Sequence, residues 1–330
     1  MAAVPDGVVM PKSSGRPIDA LDLASIPIFV GTMLTEALVL RRRTTRDRDD
    51  AIDIAEIRAS ALSGRTGPHE LPADPLVPLG YERRDTVASL SMLVGNVAVN
   101  LAAAGAVGAM NRFVFNHRVA DIGKRRGSLA VAIVAWDFLY YWDHRWMHEV
   151  RLFWANHVSH HSGQRYNLST ALRQPWSGFL LSWVYLPMPL LGIPAHHVIR
   201  AGQLNLLYQY WIHTEAIDRL PRQIEAVFNT PSHHRVHHGA DQQYLDRNYG
   251  GVLILWDRLF GTFEPEIRRV TYGLTKNIDT YNPLRIGYHE FIAIGRDVRA
   301  ATGIRNKLRH VFGRPGWTRC AETRAQLDAA

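Results

Sequence analysis

Cysteine is nearly missing from this chain of 330 residues: Cys320 stands alone. One thiol excludes an internal disulfide and any cysteine-based metal site. No cleavable signal peptide is expected either, because the first twenty residues are polar and carry Pro5, Pro11 and Pro17. There is no internal repeat and no low-complexity segment. A net charge of +8 and a pI near 9.8 raise the question of nucleic acid, but no nucleic-acid fold motif is present. The arginines flank apolar segments instead of forming one basic stripe, which argues against a nucleic-acid partner. Attraction to anionic lipid headgroups accounts better for the balance.

Mean hydropathy is only −0.13, although 47% of the residues are hydrophobic, because apolar and basic blocks alternate. After a polar tail (1–23), Ala24 to Leu40 is a short membrane candidate that carries Glu36. Arg41, Arg42 and Arg43 follow at once, which by the positive-inside rule places that end in the cytosol. Leu71 to Tyr81 is rich in proline and reads as a surface loop. Thr86 to Met110 is the clearest span, long enough for a bilayer that needs about twenty residues. Gly127 to Trp142 is a further apolar segment. Trp176 to Ile199 is broken by Pro187, Pro189 and Pro194 and reads as two half-segments, and Ala201 to Ile212 follows. Arg83 and Arg84 precede the second span and Lys124, Arg125 and Arg126 follow it, so charge does not decide between full crossings and re-entrant hairpins. The competing reading is a set of core helices in a soluble protein. One more helix is expected around Phe291 to Thr302.

Histidine is what the chain has in quantity. Twelve of its sixteen histidines lie between His144 and His238. His144 and His148 are four apart. His157, His160 and His161 follow a three-then-four pattern, which His234, His237 and His238 repeat. Residues three and four apart share one helix face, so each group is expected to present its imidazoles in one direction. Neutral imidazole is a ligand that first-row metals accept readily. Eight such histidines, with His213, are too many for one ion of about four ligands and suit two. His233 points about 100° away from His234 on a helix and reads as a supporting or exposed residue. His196 and His197 read as interfacial, and His69, His117, His289 and His310 have no assigned role.

The order HxxxH, HxxHH, HxxHH, with DFLYYWDHR before it and NYGGVLILWDRLFGTF after it, resembles the fatty acid hydroxylase and sterol desaturase superfamily. HRWMHEV, YNLSTALRQ, LNLLYQYWIHTE and NTPSHHRVHHG are most similar to its alkylglycerol monooxygenase branch. The resemblance runs from about Ile26 to Trp317. It implies an all-α integral membrane bundle (24–290) with a cytosol-facing helical cap and a basic C-terminal segment (291–330). It also implies a non-haem di-iron centre whose ligands, by position, are His144, His148, His157, His160, His161, His213, His234, His237 and His238. Gln209 stands where other branches carry a further histidine, which leaves that place in one shell to a water or to Gln209 itself. Tetrahydrobiopterin dependence is implied for animal members, which continue with further apolar segments, and another external electron donor is the alternative.

On this reading the protein is a lipid monooxygenase of the membrane, its site facing the cytosol. Two irons share the electrons needed to split dioxygen and oxidise an unactivated C–H bond, while the protein supplies orientation and a dry pocket. In alkylglycerol cleavage hydrogen leaves the carbon beside the ether oxygen. Hydroxylation there gives a hemiacetal, which collapses to fatty aldehyde and glycerol. Asp137, Asp143, Gln209 and Glu215 are candidates to support the ligands, and Glu149 to contact a reductant. Tyr140, Tyr141, Trp146, Trp154 and Trp211 are candidate chain-lining aromatics. The alternatives are fatty acid or carotenoid hydroxylation, sterol oxidation or desaturation at the same centre, or a zinc-binding membrane protein without turnover.

Overall fold

The computed structural model describes residues 24–43 and 80–317. The expected N-terminal tail, most of the Leu71 to Tyr81 loop, and His69 and Cys320 lie outside the described residues. Among the described residues there is no strand, only the isolated bridges Phe228 to Leu253 and Gly239 to Tyr272. The rest is helix and turn, as the resemblance implies.

Among the described residues, two helices are long and apolar enough to cross a membrane: α1 (Ala24–Arg43) and α2 (Arg83–Asn116), with mean hydropathies of 1.4 and 1.7. Both leave most of their apolar side chains uncovered, among them Ile28, Leu34, Val94 and Phe113. The 34 residues of α2 extend about 51 Å at the α-helical rise, more than a hydrocarbon core of about 30 Å. Glu82 caps α2 by accepting from the Arg84 and Asp85 amides, two of the donors a helix start leaves without partners.

The inner layer is different. α3 (Ser128–Glu149) starts after the left-handed Gly127 and buries Ala132, Trp136, Tyr140, Tyr141 and His144. It packs on α6 (Ala195–Ile212) and, through the single residue Val150, passes into α4 (Arg151–His161). Between α4 and α6 the proline-broken stretch forms a 3₁₀ run, Gly178–Tyr185, then the four-residue α5 (Pro187–Leu190). It turns at Gly192, whose φ of +79° and contact with the Ala120 carbonyl leave no room for a Cβ.

The chain then makes α7 (Arg222–Glu225), α8 (Pro231–His237) and α9 (Leu255–Phe260). α10 (Pro283–Ala300) begins eight residues before the start expected from sequence. Asn282 caps it, accepting from Leu284 N and Arg285 N, with Pro283 in its first turn. It therefore runs through the boundary expected at residue 290. The sequence gives no expectation for α11 (Ile304–Phe312), which follows it. Both pack on α4. Arg151 at the head of α4 is the clamp: it donates to Glu290 and Asp297 of α10, each at 2.7 Å, and to the His310 carbonyl of α11 at 3.3 Å.

Candidate metal centre

Four elements meet at the histidines. α3 carries His144 and His148, α4 carries His157, His160 and His161, and α8 carries His234 and His237 with His238 at its end. His213 follows the last residue of α6. All nine are buried, and they form two groups. His144, His148, His157, His161 and His237 offer ring nitrogens that all lie within 4.8 Å of one another, and so do His160, His213, His234 and His238. The groups adjoin, with the His161 and His238 rings stacked at 4.4 Å.

The expectation that each box faces one way needs correction. In α4, His157 and His161 serve the first group and His160 the second, while in α8 His234 and His238 serve the second and His237 the first. Neighbours on a helix diverge by about 100°, so each HxxHH straddles the two groups. The shorter group is the one that contains His213, four residues after Gln209.

The ring tautomers follow from the partners of Nδ1. His144 donates to the Tyr249 carbonyl at 2.8 Å and His237 to that of Arg247 at 3.0 Å. In the second group His160 donates to the Arg173 carbonyl at 3.3 Å and His213 to that of Gln209 at 2.7 Å. A ring that donates from Nδ1 in its neutral form keeps a lone pair at Nε2. The Nε2 atoms of His213 and His160 nevertheless face each other at 3.2 Å, two acceptors with no proton to share. The Nε2 atoms of His148, His237 and His238 are buried without a hydrogen-bond partner. Protonation is a poor remedy. Burial, with the charge of neighbouring rings, holds His157, His160, His161, His234, His237 and His238 well below the usual histidine range, and burial brings His213 down to about 4. Neutral imidazoles with converging lone pairs suit metal cations. The residues present therefore fit two ions.

The proposed supporting carboxylates lie elsewhere. Asp137 is buried and partnered, but it accepts from Asn205, Val252 N, Leu253 N and Trp256, which pins the approach to α9. Asp143 accepts from Tyr185 at 3.0 Å and Glu149 pairs with Arg145 at 3.1 Å. Glu215 accepts from Tyr272 and pairs with Arg269. The Gln209 side chain bonds Tyr140 and Asn205, so the contact it makes with His213 is through its backbone carbonyl. Of the aromatics, Tyr140 and Trp154 stand against histidine rings, at 5.1 Å from His144 and from His148. Tyr141 packs on Phe260, Trp146 on Trp183 and Trp211 on Tyr208. His197 bonds Ser128, away from the cluster. His233 is buried, not exposed.

Three residues given no role at the site by the sequence reading shape it. Asp246 approaches His148 Nδ1 at 3.6 Å from a loop where it and Asn248 hold positive φ, a conformation Asp and Asn tolerate. Asp257, fully buried, accepts from the amides of Tyr249 and Gly250, each at 2.7 Å, and so fixes the peptide whose carbonyl holds His144. Glu36 of α1 accepts from Leu168 N at 2.8 Å and from Thr214, the neighbour of His213. Asp257→Asn keeps one acceptor oxygen and loses the other. We expect it to fold and to bind metal about tenfold more weakly or worse, as losses behind a ligand do, read by competition with a chelator. Wild-type affinity would show that the Tyr249 peptide needs no such support.

A family model described as fatty acid hydroxylase matches residues 129–262. Alkylglycerol monooxygenase of Homo sapiens is 48% identical over 187 residues, 56% of this chain and 42% of that protein. Lathosterol oxidase of Mus musculus is 32% identical over 147 residues, 41% of the chain and 46% of that protein. Ornithine lipid hydroxylase OlsE of Rhizobium tropici is 28% identical over 155 residues, 46% of each. The chain thus spans less than half the length of these relatives. No solved structure matches it.

Proposed function

We propose, from the match of residues 129–262 to the fatty acid hydroxylase family model, that this chain is a membrane-bound lipid monooxygenase with a non-haem di-iron centre, acting on alkylglycerol ethers. The observation that carries the reading is the five-and-four partition of nine buried imidazoles. Iron, when bound, supplies the activation of dioxygen and the oxidation of a C–H bond. His144, His148, His157, His161 and His237 would hold one ion and His160, His213, His234 and His238 the other. The carbonyls of Tyr249, Arg173, Gln209 and Arg247 hold the ring protons on Nδ1 and keep Nε2 free for the metals. Tyr140 and Trp154 wall the rings with apolar surface.

The overall reaction joins the ether, dioxygen, two electrons and two protons to give a hemiacetal and water. The electrons come from an external donor, tetrahydrobiopterin or another reductant, with Glu149 at the end of α3 as its proposed contact. The hemiacetal then releases fatty aldehyde and glycerol. Fatty acid or sterol oxidation at the same centre is the second reading, favoured by the lathosterol oxidase likeness.

The unit is a multi-pass membrane domain that begins at residue 24 and takes in the whole of α10, with a basic extension after it. Support for a cytosolic site comes from Arg43, in the basic end of α1, which donates to the Glu215 carbonyl two residues past His213. The positive-inside rule puts that end in the cytosol, and the site with it. The test is anaerobic loading with ferrous iron, then oxygen, a pterin or ferredoxin reductant and a lipid panel. We expect two irons per chain and fatty aldehyde from alkylglycerol. Hydroxylated fatty acid or oxidised sterol instead would move the reading to the second substrate class. Zinc binding with no oxygen uptake after iron loading would leave a metal-binding membrane protein.

A further inference from the structure

A cavity of about 370 Å³ opens against α8, and none of the nine clustered histidines lines it. Arg219, Arg222, Arg258, Glu225, Glu266 and Phe263 wall it, and Ser232 and His233, both buried, lie at its back. The charges do not balance. Glu266 is taken by Arg235, which grips both carboxylate oxygens at 2.8 and 2.7 Å. Glu225 accepts from the uncharged donors Ser232, Thr230 and Leu220 N. Three guanidiniums therefore face one carboxylate. Arg258 is braced flat over the Phe263 ring at 3.7 Å and gives one N–H to the Glu225 carbonyl. Arg219 gives one to the Glu266 carbonyl. Arg222 is exposed at the start of α7. Each keeps further donors for a ligand, in the planar fork that suits phosphate oxygens.

A second observation narrows the class. His233 lines the cavity, and its Nδ1 is buried with no hydrogen-bond partner. A buried polar atom is costly to leave unpaired. We propose that this cavity binds a glycerophosphate ester, with the phosphate among Arg219, Arg222 and Arg258 and a glycerol hydroxyl hydrogen-bonded to His233. The ester comes either free or as the headgroup of a membrane lipid. Arg235 also donates to the carbonyls of Thr214, Ile217 and Asp218, so the cavity shares its wall with the loop that follows His213. Occupancy would report to the histidine site through that loop and through α8.

Binding is read without turnover, so this inference stands or falls separately from the oxygenase reading. The full chain in detergent is titrated by calorimetry with inorganic phosphate, with glycerol 3-phosphate, and with micelles doped with 1-acylglycerol 3-phosphate. We expect glycerol 3-phosphate to bind more tightly than phosphate, and Arg222→Gln to weaken it about tenfold, the worth of one charge-assisted hydrogen bond. Arg285→Gln, an exposed arginine on α10, leaves binding unchanged. Binding of the micellar ester alone assigns the site to a lipid headgroup, and binding of the soluble ester assigns it to a free ligand as well. No binding in any arm, or equal loss in Arg222→Gln and Arg285→Gln, overturns the proposal. Arg258 is not the first choice for change, because its stacking on Phe263 makes a folding defect a competing explanation.

Discussion

His160→Ala is expected to leave the protein holding about one metal per chain instead of two and to lower lipid oxidation by more than about a hundredfold. Loss of a residue that merely orients a ligand already costs about ten- to a hundredfold, and His160 offers the ligand atom itself. It belongs to the group of four, so its removal leaves three imidazoles. The same change at His161 removes one of five and leaves four, enough for a tetrahedral ion. The two residues are adjacent, equally buried and on one helix, so the cavity each leaves is comparable. Metal counting on both variants, with unfolding temperatures alongside, separates ligation from packing. If His161→Ala loses as much metal as His160→Ala, the division into five and four is not how the ions are held.

Arg151→Met should cost about 3 kcal/mol of stability, the lower end of what stripping one partner from a buried ion pair costs, and lower the melting temperature by roughly 10 °C. Methionine replaces the aliphatic stem but takes away the cation that joins Glu290 and Asp297, two turns apart on α10, and leaves Asp297 only the exposed Arg296 at 3.5 Å. Arg151 is only 8% exposed and its two partners 19% and 27%, so water rescues them poorly. Adding Glu290→Gln and Asp297→Asn to Arg151→Met should restore more than half of the loss, because neutral amides need no cation. A triple variant no more stable than Arg151→Met would mean that the carboxylates were never the difficulty. Thermal unfolding followed by circular dichroism reads all three.

How far the sequence could be read depended on whether a feature is local. The helical phase of the histidines is local, and it brought into view eight of the nine that cluster in the structure, with His213 noted as a lone histidine beside them. The partition was not local, because whether His160 joins His157 or His213 depends on how α4 lies between α3 and α8. Glu36 was visible as an oddity in an apolar run, yet its partners Thr214 and Leu168 are 178 and 132 positions away. Carboxylates were expected behind the imidazoles because a carboxylate can be seen in a sequence. Four of the rings instead donate to backbone carbonyls, which every residue has and no letter marks. Asp257 went unnoticed for the same reason, since it acts on a peptide and not on a histidine.

The join at Val150 has a consequence for what this chain can tolerate. It is one residue long, the end of α3 and the start of α4 at once, so it has no slack to take up a change in length. An inserted residue would advance α4 by about 100° and 1.5 Å, putting His160 where His161 stands and Asn156 and Ser159 where His157 and His160 stand. One added peptide at this join would thus deprive both clusters of an imidazole at once.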